Sequence, residues 1–270
     1  MDLGLAGRAC VVTGASRGIG RATALMLCAE GASVLLVARG ADDLAEAVEQ
    51  CRRAAGPVGG RAESLALDVT APDSGERLAA ACRERFDRLD VLVNNAGAAR
   101  WRDLEDVPDA DWYAAWELNV MAPLRAMRAV IPAMADAGWG RVVNVASSAA
   151  KRPSPQMPEY SVAKAGQLSL SRVFADRYAG RGVLVNAICP GPTKSEMWME
   201  AGGLLDQSVE SSGAAGREQA LESAGAKRPV GRLAEVDEVA VAIVFLCSER
   251  ASYVAGAAWS VDGGSVQVII

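Results

Sequence analysis

Tyr160 and Lys164 stand four residues apart in Tyr160-Ser161-Val162-Ala163-Lys164, a step that puts both side chains on one face of a helix. An ammonium beside a phenol favours the phenolate and lowers the tyrosine pKa from about 10. Such a phenol is an acid or base usable near neutral pH. The chain has only four tyrosines and no histidine. The missing histidine removes the commonest general base, every Ser-His-Asp triad and every His-ligated zinc site. Acid-base chemistry must therefore rest on Tyr, Lys, Asp, Glu or Cys, which raises the standing of this pair.

A second chemical signature lies near the start, in Thr13-Gly14-Ala15-Ser16-Arg17-Gly18-Ile19-Gly20. It follows a β-branched run and opens an amphipathic one. Gly14 permits the tight turn, Gly18 lets backbone approach a pyrophosphate, and Gly20 lets a helix pack against a strand. The free N–H groups and positive dipole end of that helix suit an anion. A glycine pattern at the first strand-to-helix turn is a dinucleotide-binding signal.

The elements that must position these groups alternate along the whole chain. Strands are expected at Ala9–Thr13, Ser33–Ala38, Glu63–Asp68, Asp90–Asn94, Arg141–Ser147, Val183–Cys189 and Ala257–Val261. Helices are expected at Ile19–Glu30, Asp42–Ala55 (with Asp42 able to cap it), Pro72–Phe86, Asp109–Ala137, Pro158–Ala179 and Glu235–Ser248. Strand–helix alternation predicts an α/β fold: a Rossmann-like, doubly wound, seven-stranded parallel sheet in a single domain spanning 1–270. Near-continuous apolar strands such as Val34-Leu35-Leu36-Val37 fit burial on both faces. The stretch Pro192 to Arg232 breaks the rhythm, being long, irregular and rich in Gly, Ser, Glu and Met. Connections of that length are usually functional, and it reads as a substrate lid.

Composition excludes several classes. The 270 residues are 51% hydrophobic with a net charge of −5, so no basic patch points to nucleic acid. The longest apolar run, Val239 to Cys247, is too short to cross a membrane. No basic start followed by an apolar stretch signals export. The six cysteines form no C-x-x-C pair, so neither a disulfide framework nor a metal site is expected, and a reducing, cytoplasmic setting is.

Thr13-Gly-x-x-x-Gly-x-Gly20, Asn94-Asn95-Ala96-Gly97, Ser147, Tyr160-x-x-x-Lys164 and Pro190-Gly191 occur in the order seen in short-chain dehydrogenases/reductases. The chain resembles that family from its first strand to Asp262-Gly263-Gly264. It is most similar to the single-domain type that includes 3-oxoacyl carrier-protein reductases. The resemblance implies catalytic roles for Asn119, Ser147, Tyr160 and Lys164. Tyr160 would give a proton when a carbonyl is reduced and take one when an alcohol is oxidised. Ser147 would share the developing oxyanion. Lys164 would hold the nicotinamide ribose and lower the Tyr160 pKa, and Asn119 would help hold a proton-relaying water. Ser148 is adjacent to Ser147, but the spacing of Ser147 to Tyr160 matches the family.

The resemblance also implies cofactor contacts at Gly14, Ser16, Arg17, Gly18, Ile19 and Gly20 in the turn. Further contacts are implied at Arg39, Asp68 and Val69, at Asn95, Ala96 and Gly97, at Tyr160 and Lys164, and at Pro190, Gly191, Thr193 and Ser195. Asp68 would meet the adenine amino group; Thr193 and Ser195 would meet the carboxamide. Asn94 and Asn95 read as structural, bonding neighbouring backbone. The second strand ends in Ala38-Arg39, without the carboxylate that binds ribose hydroxyls in NAD sites. Arg39 and Arg17 suit a 2′-phosphate in a bidentate fork. NADP(H) is therefore expected, with NAD(H) as the alternative, for which Asp42 and Asp43 could be offered.

Met197, Trp198, Met199, Leu204 and Leu205 in the lid, with Trp101, Met157 and Ala149, point to an apolar substrate carrying a carbonyl or secondary alcohol. A 3-oxoacyl thioester is one such substrate, although the lid is longer than ketoacyl reductases usually carry. Lys151 and Arg152 could greet an anionic tail, but read more simply as a solvated loop. The family's helical interfaces at Asp109–Ala137 and Pro158–Ala179 imply a homotetramer, with a dimer second; the apolar tail Val266-Gln267-Val268-Ile269-Ile270 fits burial between subunits. Other classes are a non-catalytic NADP(H)-binding regulator, a Ser-Tyr-Arg dehalogenase and an enoyl reductase. Regulators usually lose part of the catalytic group, the dehalogenase lacks the glycine turn, and enoyl reductases space Tyr and Lys further apart.

Overall fold

The computed structural model describes residues 1–56 and 59–267. Among them the β-branched runs form β1 (Ala9–Thr13), β2 (Ser33–Ala38), β3 (Ala62–Ala66), β4 (Val91–Asn94), β5 (Gly140–Val145), β6 (Val183–Pro190) and β7 (Ala258–Val261). All pair in parallel, in the order β3-β2-β1-β4-β5-β6-β7. Successive side chains of a strand point to opposite faces. Cys10 and Val12 of β1 accordingly enter one core, with Leu27, Val48 and Ile243, while Val11 enters the other, with Leu78, Met127 and Ile131. Covering both faces requires helices on both sides, and the chain supplies them.

The helices are α1 (Gly18–Ala29), α2 (Ala41–Ala55), α3 (Ser74–Phe86), α4 (Asp109–Trp116), α5 (Ala122–Asp136), α6 (Pro158–Tyr178), α7 (Glu196–Met199), α8 (Leu204–Ser212), α9 (Arg217–Ala226) and α10 (Val236–Cys247). No helix among the described residues is long and apolar enough to cross a membrane. The strand order reverses between β1 and β4, which opens a crevice at their C-terminal ends, where ligands of open α/β sheets bind.

Three local expectations need correction. Asp42 does not cap α2: Gly40 occupies the cap position, no side chain closes it, and Asp42 and Asp43 lie in the first turn, where carboxylates offset the helix dipole. The long helical stretch from Asp109 is broken by a π-turn at Glu117–Met121. Pro123 has no N–H to offer the carbonyl of Asn119, so the α-helical ladder cannot run through and the wider turn absorbs the slip. The segment 192–232 is not irregular: α7, α8 and α9 pack on a small core of Trp198, Leu204, Leu205, Ala220 and Leu233. Glu235 and Glu238 then form a reciprocal capping box that starts α10. All six cysteines are buried and free. Val268, Ile269 and Ile270 of the tail lie outside the described residues.

Candidate active site

A cleft of about 650 Å³ lies at the C-terminal ends of the central strands, walled by the glycine turn, the ends of β2, β4, β5 and β6, the first turns of α6, and α7. Gly14, Ser16, Arg17, Gly18, Ile19, Arg39, Asp68, Val69, Asn95, Ala96 and Gly97 line it, as do Ser147, Tyr160, Lys164, Pro190, Gly191, Thr193 and Ser195. Gly20 and Asn119, the remaining two candidates, stand behind the wall.

The glycine turn is held open by its neighbours. Gly14 has φ +64 and a Cβ there would fall 2.9 Å from Ala96 Cα. Gly20 faces Gly14 O so closely that a Cβ would reach 2.3 Å, which is how α1 seats on β1. Thr13 and Asn95 clasp the turn from below. The Thr13 hydroxyl accepts from the N–H groups of Asn95 and Ala96 at 3.0 and 3.1 Å, and Asn95 Nδ2 donates to the carbonyls of Thr13 and Gly14 at 3.0 and 3.1 Å. Asn94 Nδ2 donates to Asn144 Oδ1 at 2.8 Å, tying β4 to β5. Asn95 thus bonds neighbouring backbone as expected, whereas Asn94 bonds a neighbouring side chain instead.

At the outer end the two arginines differ. Arg39 is exposed and makes no ion pair among the described residues, though its charge helps hold the Asp68 carboxyl low. Hydrogen bonds from Thr70 N (3.0 Å) and Thr70 Oγ1 (2.7 Å) do most of that lowering. Arg17 is not free: its guanidinium grips both oxygens of Glu200 at 2.9 and 2.8 Å. Arg21 pairs with Glu196 at 3.1 Å, so two lid carboxylates latch onto the turn and α1. Asp43 also enters the wall. Neither carboxylate latch was visible in the spacing of the sequence, because 175 and 183 positions separate the partners.

At the inner end Tyr160 is 9% exposed and Lys164 2%. Burial pushes the Tyr160 phenol up to about 12, while its hydrogen bond with Ser147 pulls the other way. Burial lowers Lys164 from 10.5 to about 7. The expected lowering of the phenol by the ammonium is therefore absent here: Lys164 Nζ sits 5.7 Å from the ring centre, and its own charge is weakened by burial. Ser147 Oγ accepts from Ala149 N at 3.1 Å, which fixes the hydroxyl at the end of β5. From the π-turn Asn119 Nδ2 donates back to Ala115 O of α4 at 2.9 Å, leaving Oδ1 buried without a partner.

A Cβ on Gly97 would lie 3.5 Å from Asn119 Oδ1 and 3.6 Å from Lys164 Nζ. An unused acceptor and a cation thus converge on a corner that a side chain would fill. That arrangement fits the ribose hydroxyls of a nucleotide, and the glycine turn fits its phosphates. Among the described residues no group of three or more His, Cys, Asp or Glu could hold a metal.

Opposite the turn the wall is apolar. Met197, Trp198, Leu204, Ala149 and Met157 line it as expected, joined by Ala99, Ala114 and Leu118, which sequence reasoning missed because nothing distinguishes them from core residues. Met199, Leu205 and Trp101 belong instead to the core of the lid, where Trp101 stands edge-on to Trp198 at 6.3 Å. Thr193 Oγ1 donates to Gly191 O at 3.0 Å. Arg152 is exposed as expected, while the half-buried Lys151 is also tied to the last strand, its Nζ donating to Ala258 O at 2.6 Å and Ser260 Oγ at 3.0 Å.

A parallel sheet of this order, with a glycine turn and a Tyr/Lys pair opening on one cleft, defines a nicotinamide-dependent oxidoreductase of the Rossmann class. The family model described as enoyl-(acyl carrier protein) reductase matches residues 14–266, and the chain belongs to that family of short-chain dehydrogenases/reductases. It is 32% identical to a 3-oxoacyl-[acyl-carrier-protein] reductase of Thermotoga maritima, over 97% of this chain and 99% of that one. It is 38% identical to the cis-4-hydroxycyclohexanecarboxylate dehydrogenase of Sinomonas cyclohexanicum, over 99% and 100%. Among solved structures it is similar to L-sorbose reductase from Gluconobacter frateurii, complexed with NADPH and L-sorbose, with TM-score 0.91, 34% identity and full coverage of both chains.

Proposed function

We propose that this oxidoreductase interconverts a carbonyl and a secondary alcohol using NADP(H), with Tyr160 as general acid and base. The observation that carries the reading is the meeting of Tyr160, Ser147 and Lys164 on one wall of the cleft whose far end is the glycine turn. A nicotinamide bound there would supply or accept the hydride. In reduction a substrate oxygen lodged between the Ser147 and Tyr160 hydroxyls gains negative charge, which both stabilise by hydrogen bonding. Tyr160 then gives up its proton; burial keeps it protonated until that moment. In oxidation the phenol must first lose its proton, which a charged Lys164 favours. Lys164 and Asn119 Oδ1 would hold the ribose hydroxyls at the Gly97 corner, and Asn119 would share a water with Lys164. Asp68 would meet the adenine, and Thr193 and Ser195 the carboxamide.

The unpaired Arg39 after Ala38 supports NADP(H), as does the NADPH bound by L-sorbose reductase. NAD(H) is the second reading, favoured by Asp43 in the wall and by the engagement of Arg17 with Glu200. The apolar wall supports a substrate with a hydrophobic body, under a lid formed by 192–232. The named relatives act on 3-oxoacyl thioesters and a hydroxylated cyclohexane acid, and both bear the required carbonyl or secondary alcohol. We assign the protein to the cytoplasm as a homotetramer joined through α4, α5 and α6, a reading supported by the exposed Tyr113 of α4 and Val162 and Val173 of α6.

The test is a spectrophotometric panel of ketones, quinones and 3-oxoacyl thioesters with NADPH, and of the matching alcohols with NADP. Tyr160→Phe should lower turnover by about 10²–10⁴-fold and leave NADPH binding intact. Tight NADPH binding without turnover on any substrate favours a non-catalytic regulator. Full activity in Tyr160→Phe refutes the mechanism.

A further inference from the structure

Gln167 lies one turn beyond Lys164 on α6 and is 0% exposed. An amide at such a depth needs partners, because each buried polar group left unpaired costs about 1–3 kcal/mol. Its Nε2 has none. Its Oε1 accepts from Lys164 Nζ at 3.1 Å. Val145 O of β5 takes a second N–H of the same ammonium at 2.6 Å. A lysine ammonium carries three donors. The third remains for the corner at Gly97, where Asn119 Oδ1 also lacks a partner.

Among the described residues Lys164 has no carboxylate partner, and the Cys189 thiol is the one group whose charge would favour its own. From α6 the Tyr160 ring centre lies 5.7 Å away, the Cys189 thiol of β6 acts on it electrostatically, and the neutral Asn119 of the π-turn faces the same Gly97 corner. Burial disfavours the charged lysine, and hydrogen bonds to the charged form oppose that loss. Val145 O and Gln167 Oε1 are the two acceptors that do so, and only the second depends on a side chain. The same turn of α6 is anchored to the sheet: Ser171 Oγ donates to Gln167 O at 2.7 Å and accepts from Asn144 Nδ2 at 2.8 Å.

We propose that Gln167 is a positioning residue, whose side-chain oxygen pins the Lys164 ammonium against β5, keeps it charged and aims its third N–H at the Gly97 corner. The proposal rests on the role assigned to Lys164 above, and its test does not need turnover. Folding stability of the full-length, cofactor-free protein is measured by denaturant titration between about pH 6 and 8.5, at one protein concentration. For the wild type the curve bends near the Lys164 titration at about 7. In Gln167→Met the bend should move to lower pH by about one unit, because an acceptor for the charged form is gone. In Gln167→Glu it should move to higher pH and leave this range, because a carboxylate holds the ammonium charged.

A residue that only fills space would change the height of the curve and leave the bend where it is. An unmoved bend in either folded variant overturns the proposal. Should Gln167→Met fail to fold, Gln167→Glu decides alone. A bend that moves as expected, in a protein that turns over no carbonyl or alcohol, keeps this role for Gln167 and rejects the proposed activity.

Discussion

Replacing Lys164 with methionine should flatten the pH dependence of folding between about 6.5 and 8.5. In the fold, burial lowers the Lys164 pKa from 10.5 to about 7; the unfolded chain restores the ordinary value. Below pH 7 both states carry the proton, and the cost of burying the charge acts in full. Between 7 and 10.5 only the unfolded state holds it, so each step up in pH favours the fold. The slope is about 1.4 kcal/mol per pH unit, or about 2 kcal/mol from pH 7 to 8.5. Few other groups cloud this window. The chain has no histidine. Burial raises the Cys10, Cys82, Cys189 and Cys247 thiols, and the hydrogen bond between Cys28 and Cys51 raises the first and lowers the second. The raised thiols oppose the Lys164 trend as pH approaches 9, because the unfolded chain then releases their protons, but they are shared by wild type and variant and cancel in the difference between the two curves. Tyr160, raised to about 12, enters above 10. Glu238, lowered to about 2, enters below 4.5. Urea titrations at half-unit steps, with cofactor removed and protein concentration fixed, give the two curves. The stability of the wild type relative to Lys164→Met should be constant below pH 7 and climb above it. Parallel curves would refute the reasoning, since they would mean that Lys164 keeps its proton equally in both states.

Two further predictions concern the outer end of the cleft. Arg39→Ala should weaken NADPH binding by about 10–100-fold, the worth of a charge-assisted hydrogen bond of about 1.5–3 kcal/mol, with NADH affinity unchanged; equal weakening of both in calorimetry would remove the phosphate-binding role. Glu200→Gln should free Arg17 and tighten NADPH binding by up to about fivefold at low salt, because an ion pair this exposed is worth about 0–1 kcal/mol, and unchanged or weaker binding would show that the latch does not compete with the cofactor.

How much of this molecule could be read from its sequence follows from the range of the forces involved. The central strands β1, β2 and β4 were legible because they are apolar and buried on both faces, and β2 begins and ends where the alternation of runs placed it, whereas the half-exposed edge strand β3 ends two residues before the expected Asp68. The glycine turn was legible because its three glycines answer local demands: a left-handed φ at Gly14 and Gly18, and contact with Gly14 O at Gly20. The π-turn at Asn119 was in principle readable from Pro123, whose missing N–H strands one carbonyl four residues earlier. The helices of the lid were obscured because their hydrophobic partners are one another rather than the sheet, so Gly and Ser between them read as loop. Charge state was the least legible property. Four-residue spacing put Lys164 beside Tyr160, and proximity alone argued for a lowered phenol. The assembled site reverses that expectation, because both side chains are buried in the wall of the cleft, which the four-residue spacing could not show. Spacing therefore identifies which groups can exchange a proton, whereas the direction in which they are poised depends on the whole wall of the cleft. In this wall burial leaves a neutral phenol beside a lysine whose pKa lies near 7, and under the proposed mechanism a charge or hydrogen bond added at Lys164 Nζ would be what readies Tyr160 to give up its proton.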